Sequence, residues 1–509
     1  MKFNFSIKRK AATVNHQGAM AYSMTPELEL YAAVTTTMLS DVSYESGNER
    51  LERIQTLMQA VNPEFAARLA IYARKQMNLR TAPVVLATEL AKLHKGDSLV
   101  SRTIAQGVQR PDEIMEMLAY YQVTNKRTAA KKLNKISKQV QKGLAASFNK
   151  FDEYQFAKYD RDTEVKLRDA LFLVHPKAKD TAQQALFNKI ANKELATPYT
   201  WETELSAVGQ ATYTDEASRL KAVKDKWEAL IDSQRMGYMA TLRNLRNMLE
   251  ANVSAAHIEK VYQYLSNEKA VLSSKQLPFR FLSAYRELSG VKNGHAGYMM
   301  EALEKAVSMS VANMNGFGLE TRVVIACDVS GSMQKSVSAK SKILMYDIAL
   351  LLGMILQSKC KHVLSGMFGD TWKTVALPAK NILSNVDAFY KREGEVGYAT
   401  NGFLVLKDLV NRKYIADKIM LFTDVQLWDS KTNNAAAQNT MAYQWAAYKK
   451  IAPGAKLYLF DLAGYGQTPL RTEQHDIKLI AGWSDKVFDV MEAMEQGENA
   501  IEMIRQIVV

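Results

Sequence analysis

The pattern of apolar residues changes character near residue 318, and that change sets the fold class on each side of it. From 20 to 310, apolar positions recur at helical spacing in one segment after another. Residues 27–38, 49–61, 63–77, 84–93, 111–121 and 128–148 come first, and comparable stretches continue to 309. The caps agree where Asn62 precedes Pro63, a capping side chain followed by proline at the first helical position. No strand-like alternation interrupts this run. No fixed-period repeat accompanies it either, so helix succession alone predicts a solenoid of helix pairs. After Asn315-Gly-Phe-Gly318, strand-like segments at 322–327, 362–368, 373–377, 418–423 and 456–461 alternate with helical ones. That is the grammar of a doubly wound α/β sheet. At 509 residues the chain exceeds one domain, and two are expected, 1–318 and 319–509.

The first strand of the second region runs into Asp328-Val-Ser330-Gly-Ser332. One carboxylate and two hydroxyls alternating at a strand mouth can hold a hard cation from one side. Mg2+ takes near-octahedral oxygen ligands at about 2.0–2.1 Å and keeps several waters. Downstream, Gly397-Tyr-Ala-Thr400 offers a hydroxyl ahead of a helical stretch, and Ile419-Met-Leu-Phe-Thr-Asp424 is a second strand ending in an acid. Open α/β sheets bind ligands beyond the carboxyl ends of strands where the strand order reverses. Asp328 and Asp424 are therefore expected on neighbouring strands. The competing reading makes Asp328 a helix cap and the serines turn residues. The order Asp-x-Ser-x-Ser, Thr, Asp resembles the metal-ion-dependent adhesion site of von Willebrand factor A domains. That resemblance implies a divalent cation, Mg2+, held by Asp328, Ser330, Ser332, Thr400 and Asp424.

Hydrophobic content of 47% and charged content of 23% describe an ordinary soluble globular protein. Two cysteines, Cys327 and Cys360, build no disulfide framework and fit a reducing compartment. Cys327 reads as a small core residue. The basic amino terminus lacks the apolar stretch of a signal peptide. The longest strongly apolar run, 348–356, is far short of the roughly 20 residues a spanning helix needs. A cytoplasmic protein without a membrane partner is expected.

The net charge of +13 is uneven: residues 1–320 hold 44 Lys/Arg against 34 Asp/Glu, and residues 321–509 hold 22 against 19. The helical region thus carries most of the positive field, which suits a polyanion. From 122 to 150 there are eight Lys/Arg and no acid. Lys131, Lys135, Lys138 and Lys142 fall on one stripe of a helix over 128–148, opposite Leu133, Ile136, Val140 and Leu144. Such a row suits phosphates, whose neutralisation releases counterions; a merely solvated basic face is the other reading. No P-loop, His-Glu-x-x-His or Cys-x-x-Cys occurs, and no catalysis is expected.

Several segments occur in a specific order: Thr13-Val-Asn15 with Gly18-Ala-Met-Ala-Tyr22; Tyr72-Ala-Arg74 through Asn78-Leu-Arg80-Thr-Ala-Pro83; and Lys158-Tyr-Asp-Arg161. They are followed by Leu167-Arg168-Asp169-Ala-Leu-Phe172-Leu-Val-His175-Pro-Lys177, Met239-Ala-Thr-Leu-Arg243-Asn244 and Leu277-Pro278-Phe279. The set closely resembles the TROVE module, and TROVE followed by an A domain is the layout of the Ro family and its bacterial relatives. The resemblance implies an α-helical HEAT-like ring followed by an α/β doubly wound A domain. It also implies a monomeric ribonucleoprotein subunit. In that family the outer basic surface binds small noncoding Y RNAs, and a central hole takes single-stranded 3′ ends of structured or misfolded RNAs. Some relatives cooperate with a 3′ exonuclease. By motif, Lys158 and Arg161 map to the Y-RNA surface, and Arg168 and His175 to the helix approaching the hole. His175 also reads as a cap before Pro176. Phe172 stands where relatives often carry a basic residue, and either stacks on a base or faces the core. The alternative class is a metal-dependent adaptor whose A domain captures an acidic residue of a protein partner.

Overall fold

A computed structural model describes residues 12–37, 39–124, 136–310, 320–338, 341–428, 438–472, 476–484 and 486–509. The chain forms two compact units. One contains the residues up to 57 together with 277–279 and 311–503; the other contains 58–276, 280–310 and 504–509.

The chain opens with a hairpin, β1 (Ala12–Val14) and β2 (Met20–Ser23), paired antiparallel from Ala12↔Tyr22 to Val14↔Met20. Asn15 makes the turn: its side-chain oxygen accepts from the amides of Gln17 and Ala19 at 3.1 and 2.9 Å, the local bonding that favours Asn in turns. A strand at 20–23 therefore interrupts the segment that reads as helices alone. Helix α1 (Pro26–Thr35) starts on a Thr25 cap with proline in its first turn and buries Leu30 to Val34 completely. Helix α2 (Gly47–Ala60) follows. Periodicity groups α1 and α2 with the later helices, whereas α1 and most of α2 belong to the α/β unit. Tyr31 donates its hydroxyl to the Ala481 carbonyl at 2.9 Å, and the fully buried Arg50 donates to the Ala463 carbonyl at 2.6 Å.

The second unit is helical. Its first elements are α3 (Pro63–Lys75), α4 (Thr81–Leu93), α5 (Leu99–Gly107), α6 (Pro111–Thr124), α7 (Lys138–Phe148), α8 (Glu153–Tyr159) and α9 (Leu167–Val174). Then come α10 (Thr181–Asn192), α11 (Trp201–Gln210), α12 (Glu216–Asp232), α13 (Tyr238–Arg243) and α14 (Leu245–Glu250). The run ends with α15 (Ala255–Leu265), α16 (Glu268–Ser274), α17 (Pro278–Ser289) and α18 (Ala296–Ser310). The expected cap of α3 forms, with the Asn62 side chain accepting from the Glu64 amide at 2.8 Å. Helix α5 packs on both α3 and α7. The approach to α7 depends on Gly143, because a Cβ there would lie 2.7 Å from Ile104 Cβ and 2.8 Å from the Ser101 carbonyl oxygen.

The α/β unit is built on β3 (Arg322–Asp328), β4 (His362–Phe368), β5 (Trp372–Thr374), β6 (Lys418–Thr423), β7 (Lys456–Asp461) and β9 (Ile477–Ala481), with β8 (Gln467–Thr468) extending the amino-terminal hairpin. The sheet order is β5-β4-β3-β6-β7-β9, parallel except for the antiparallel edge strand β5. Strand β5 is shorter than expected: it covers 372–374 and does not run on to 377. Helix α19 (Met345–Lys359) carries the apolar run at 348–356 against the sheet and is buried through Gln357. Residues Val323 to Cys327 are fully buried, and each large aliphatic side chain so placed stabilises the fold by about 1.5–3 kcal/mol. Cys327 is a core residue, its thiol pushed up by burial and then by the Asp328 charge. From β3 the chain steps to β4 on one side and later to β6 on the other, so the strand order reverses between β3 and β6. Among the described residues, no helix is long and apolar enough to cross a membrane.

Candidate metal centre and nucleic-acid interface

The reversal point gathers the expected oxygen ligands. Asp328 closes β3 and Asp424 follows β6, its direct neighbour. Asp328, Ser330, Ser332, Thr400 and Asp424 are all buried, none more than 8% exposed. One Asp328 carboxylate oxygen accepts from the Ser330 amide at 2.9 Å, and the other accepts from the Thr423 hydroxyl at 2.6 Å. The Ser330 and Ser332 hydroxyls stand 3.3 Å apart. Asp424 accepts the Gln426 amide at 3.0 Å on one oxygen. This turn needs Val425 at φ 62°, a region that β-branched residues rarely enter. Thr400 arrives on a loop anchored by Gly331 N–H to the Tyr398 carbonyl at 3.0 Å and by Trp428 N–H to the Thr400 carbonyl at 3.0 Å. Gly397, at φ 70°, admits the Asp370 carboxylate where any Cβ would collide with it, and that carboxylate accepts the Ala399 amide at 2.9 Å.

Two features of this cluster fit the chemistry of a bound cation. First, among the described residues Thr400 Oγ1 and Asp424 Oδ2 are buried with no hydrogen-bond partner, a state that ordinarily costs about 1–3 kcal/mol per group. Second, burial pushes Asp328 up to about 7, with the Asp424 charge adding to it against the Ser330 and Thr423 hydrogen bonds. Burial raises Asp424 as well. Two carboxylates that resist ionisation side by side, and hydroxyls turned toward them, form an oxygen-only donor set of the kind hard dications prefer. A third acid, Asp461 at the end of β7, was not anticipated. Burial raises it to about 6, and one of its oxygens accepts the Ala463 and Gly464 amides at 2.9 and 2.7 Å.

The amino-terminal segment reaches the same place, which no sequence signal indicated. Asn15 Nδ2 donates to the Leu427 carbonyl at 2.8 Å, the His16 amide to Gln426 Oε1 at 2.9 Å, and the Ser43 hydroxyl to the Ser332 carbonyl at 2.6 Å. Tyr44 stacks on His16 with centroids 4.9 Å apart and planes 1° apart. Its phenol is raised by burial and then by the Asp424 charge. A pocket of about 470 Å³ opens at Ser332 and Thr400, lined also by Gln17, Tyr44, Tyr398 and Trp428 among others.

On the helical unit the expected lysine stripe does not form as one helix. Lys131 and Lys135 lie outside the described residues. Lys138 and Lys142 are exposed on α7, opposite the buried Val140 and Leu144. But Ser137 is extended, with ψ 134°, and the helix starts only at Lys138. Ser137 is a residue type that favours starting a helix over continuing one. Lys158 is exposed on α8, its ammonium 5.7 Å from the Tyr154 ring and 5.9 Å from the Tyr159 ring. Arg161 is exposed in the loop that follows.

Arg168 and Phe172 share one face of α9 at i and i+4, and His175 follows as the helix's C-cap. All three are exposed, and the Arg168 guanidinium lies 5.5 Å from the Phe172 ring centroid. Phe172 does not face the core; it is 50% exposed. His175 caps α9 with φ 51°, its amide bonded to the Leu171 carbonyl at 2.9 Å, while its side chain faces solvent. Three further basic residues, far apart in the chain, were not among the expected RNA contacts, although Arg80 and Arg243 lie in the family-like segments: Arg80 before α4, Arg243 ending α13 and Arg280 in α17. All are exposed. Arg280 is nevertheless held below the ordinary guanidinium range by desolvation and then by the charges of Arg80 and Arg243. Arg80 and Arg243 form no ion pair among the described residues.

Comparison with known proteins matches this architecture. The chain is similar to telomerase protein component 1 of Rattus norvegicus, 24% identical over 344 residues, and to that of Mus musculus, 25% identical over 332 residues. These matches cover 52% and 51% of this chain but only 13% and 12% of those proteins, so the chain spans a small part of their length. The crystal structure of the Deinococcus radiodurans Ro (RSR) protein superposes with a TM-score of 0.58 over 93% of this chain and 100% of that one, at 16% identity. The fold is shared. The TROVE domain family matches residues 9–221 and 193–294, more than half of the sequence, and the chain belongs to that family.

Proposed function

We propose that this chain is the protein subunit of a ribonucleoprotein, holding small noncoding RNAs and single-stranded RNA 3′ ends on its helical unit. TROVE proteins are an RNA-binding family rather than an enzyme family. The observation that carries the reading is the exposed row on α9, where a cation, a half-exposed aromatic ring and an imidazole follow one another. Base stacking on an aromatic contributes about 1–3 kcal/mol and tolerates any sequence, while cations alongside follow the phosphates. Arg80, Arg243 and Arg280 supply a second cationic surface suited to a strand backbone. In this reading Lys158 and Arg161 contact a Y-like RNA, and Arg168 and His175 contact a threaded 3′ end. The bound RNA is then sequestered or presented to a 3′ exonuclease. Competition binding is the test, with a structured small RNA set against the same RNA carrying a single-stranded 3′ tail. Binding that ignores the tail would remove the strand-capture part of the proposal.

The buried unpartnered oxygens favour a second activity on the α/β unit. Mg2+ would be held by Asp328, Ser330 and Ser332, with Thr400 and Asp424 acting directly or through water. It would supply positive charge and an open coordination position for an anionic oxygen of a protein partner. No chemical step is proposed there. Mg2+ titration of the intact chain by calorimetry tests this, with Asp328→Ala as the variant that should lose the heat of binding.

A further inference from the structure

The pocket at Ser332 and Thr400 is lined by two side chains of the amino-terminal segment, Gln17 and Tyr44. We propose that Tyr44, supported by Gln17, is the second anchor for a carboxylate ligand at this site: the cation takes one carboxylate oxygen and the Tyr44 hydroxyl donates to the other. The inference rests on the cation site proposed above and adds the residues that choose its ligand.

Placement comes first. Asn15 and His16 are tied to the loop after β6, and Ser43 is tied to Ser332 in the loop after β3. Gln17 and Tyr44 are thus fixed to both ligand-bearing loops. Tyr44 is held further by its stack on His16 and by Tyr465, whose ring meets it edge-on at 5.6 Å. Donor count comes next. Gln17 Nε2 donates to the Tyr44 oxygen and the Ser332 hydroxyl bonds the same oxygen, so that oxygen is already an acceptor and the proton is what Tyr44 offers the pocket. A ligand oxygen beside the cation is the natural acceptor.

Charge selects the ligand class. The Asp328 and Asp424 carboxylates would balance a dication, and among the described residues no Lys or Arg lines the pocket. A neutral mouth without further cations suits one carboxylate better than the repeated phosphates of a nucleic acid strand, whose binding depends on many cations. Around it stand Tyr398 and Trp428, 50% and 40% exposed, apolar surfaces that the methylene stem of a Glu or Asp side chain can cover. The occupant is therefore an acidic side chain of a protein partner.

The experiment uses the full chain, with Mg2+ alone and then acetate and inorganic phosphate as probes, followed by calorimetry. Tyr44→Phe keeps the ring and its stack on His16. It is expected to leave Mg2+ affinity within about twofold and to weaken acetate binding in saturating Mg2+ about tenfold, the scale of one hydrogen bond to a charged group. Gln17→Ala should weaken acetate by a smaller factor. Unchanged acetate affinity in Tyr44→Phe, with Mg2+ still bound, overturns the role of Tyr44 and leaves the cation site standing. Phosphate binding tighter than acetate overturns the ligand class. A wild-type chain that takes up no Mg2+ overturns the cation reading and this inference together.

Discussion

Replacing Asp328 by Asn should stabilise the metal-free chain, and Mg2+ should cancel most of that advantage by stabilising only the wild type. In the metal-free chain, burial and the Asp424 charge raise Asp328 from 3.8 to about 7. Below about pH 4 the group is neutral both folded and unfolded, and the shift costs nothing. As pH rises from about 4 to 7 the unfolded chain ionises first, so the folded state loses stability progressively. Above about 7 the loss is complete, at most about 4 kcal/mol at roughly 1.4 kcal/mol for each tenfold change in acidity. Asn is isosteric: its oxygen still accepts the Ser330 amide, and its amide can meet the Thr423 hydroxyl. In chelator at pH 8, Asp328→Asn should therefore be the more stable protein. With each kcal/mol shifting the midpoint by about 2–4 °C for a unit of this size, thermal unfolding should move upward by roughly 10 °C. At pH 4 the two proteins should coincide. In Mg2+ at about a hundredfold excess over its dissociation constant, the wild type should gain about 2.7 kcal/mol by mass action while the variant gains little. A variant less stable than wild type in chelator at pH 8, or one that gains equally from Mg2+, would refute the picture of two buried carboxylates awaiting a cation.

On the RNA side, Arg168→Ala with His175→Ala should reduce capture of a single-stranded 3′ tail more than binding of a fully structured RNA; equal losses in gel-shift titrations would assign both residues to a common surface. Arg80→Ala with Arg243→Ala should lower affinity across unrelated sequences and flatten its dependence on salt, by about 0.7 in log–log slope for each single-strand phosphate contact removed; an unchanged slope would mean these arginines meet no phosphate. In the helical scaffold, Gly143→Ala should cost about 1–3 kcal/mol of stability in denaturant unfolding, since the added methyl meets Ile104 and the Ser101 carbonyl at under 3 Å; a neutral result would show that α5 and α7 can separate freely.

The gathering of oxygen-bearing side chains was legible in the sequence because its chemistry is written at strand ends. Hydrophobic strands that stop at Asp328 and Asp424 can only deliver those acids to one sheet edge, and the strand order then makes them neighbours. Tyr44 and Gln17 could not be read in the same way. Their relation to Ser332 runs through tertiary contacts of the amino-terminal segment, and nothing in helical periodicity says which body a helix joins. Asp461 escaped for a related reason, since its strand carries no motif beyond apolar residues. The lysine stripe shows the opposite failure. Spacing of 3.6 continues numerically through Ser137, but periodicity has no term for a backbone that turns extended at a residue with capping chemistry. On α9, spacing was a sound guide: Leu167, Ala170, Leu171 and Val174 are buried, which leaves Arg168 and Phe172 outward.

The union of the first 57 residues with the α/β unit bears on how this protein is made. Asn15 finds the Leu427 carbonyl 412 residues further on, and Tyr22 pairs with Thr468 in the small sheet. During synthesis at about 5–20 residues per second, the opening segment leaves the ribosome well before any of its partners exist. With roughly 400 residues to follow, it waits about 20–80 s, its Leu30 to Val34 face uncovered, while the helical unit emerges in between. The α/β unit can complete itself only once the strands up to Ala481 have been made. Within a chain whose helices fold through local contacts, that late closure is where a nascent-chain chaperone would have the longest time to act.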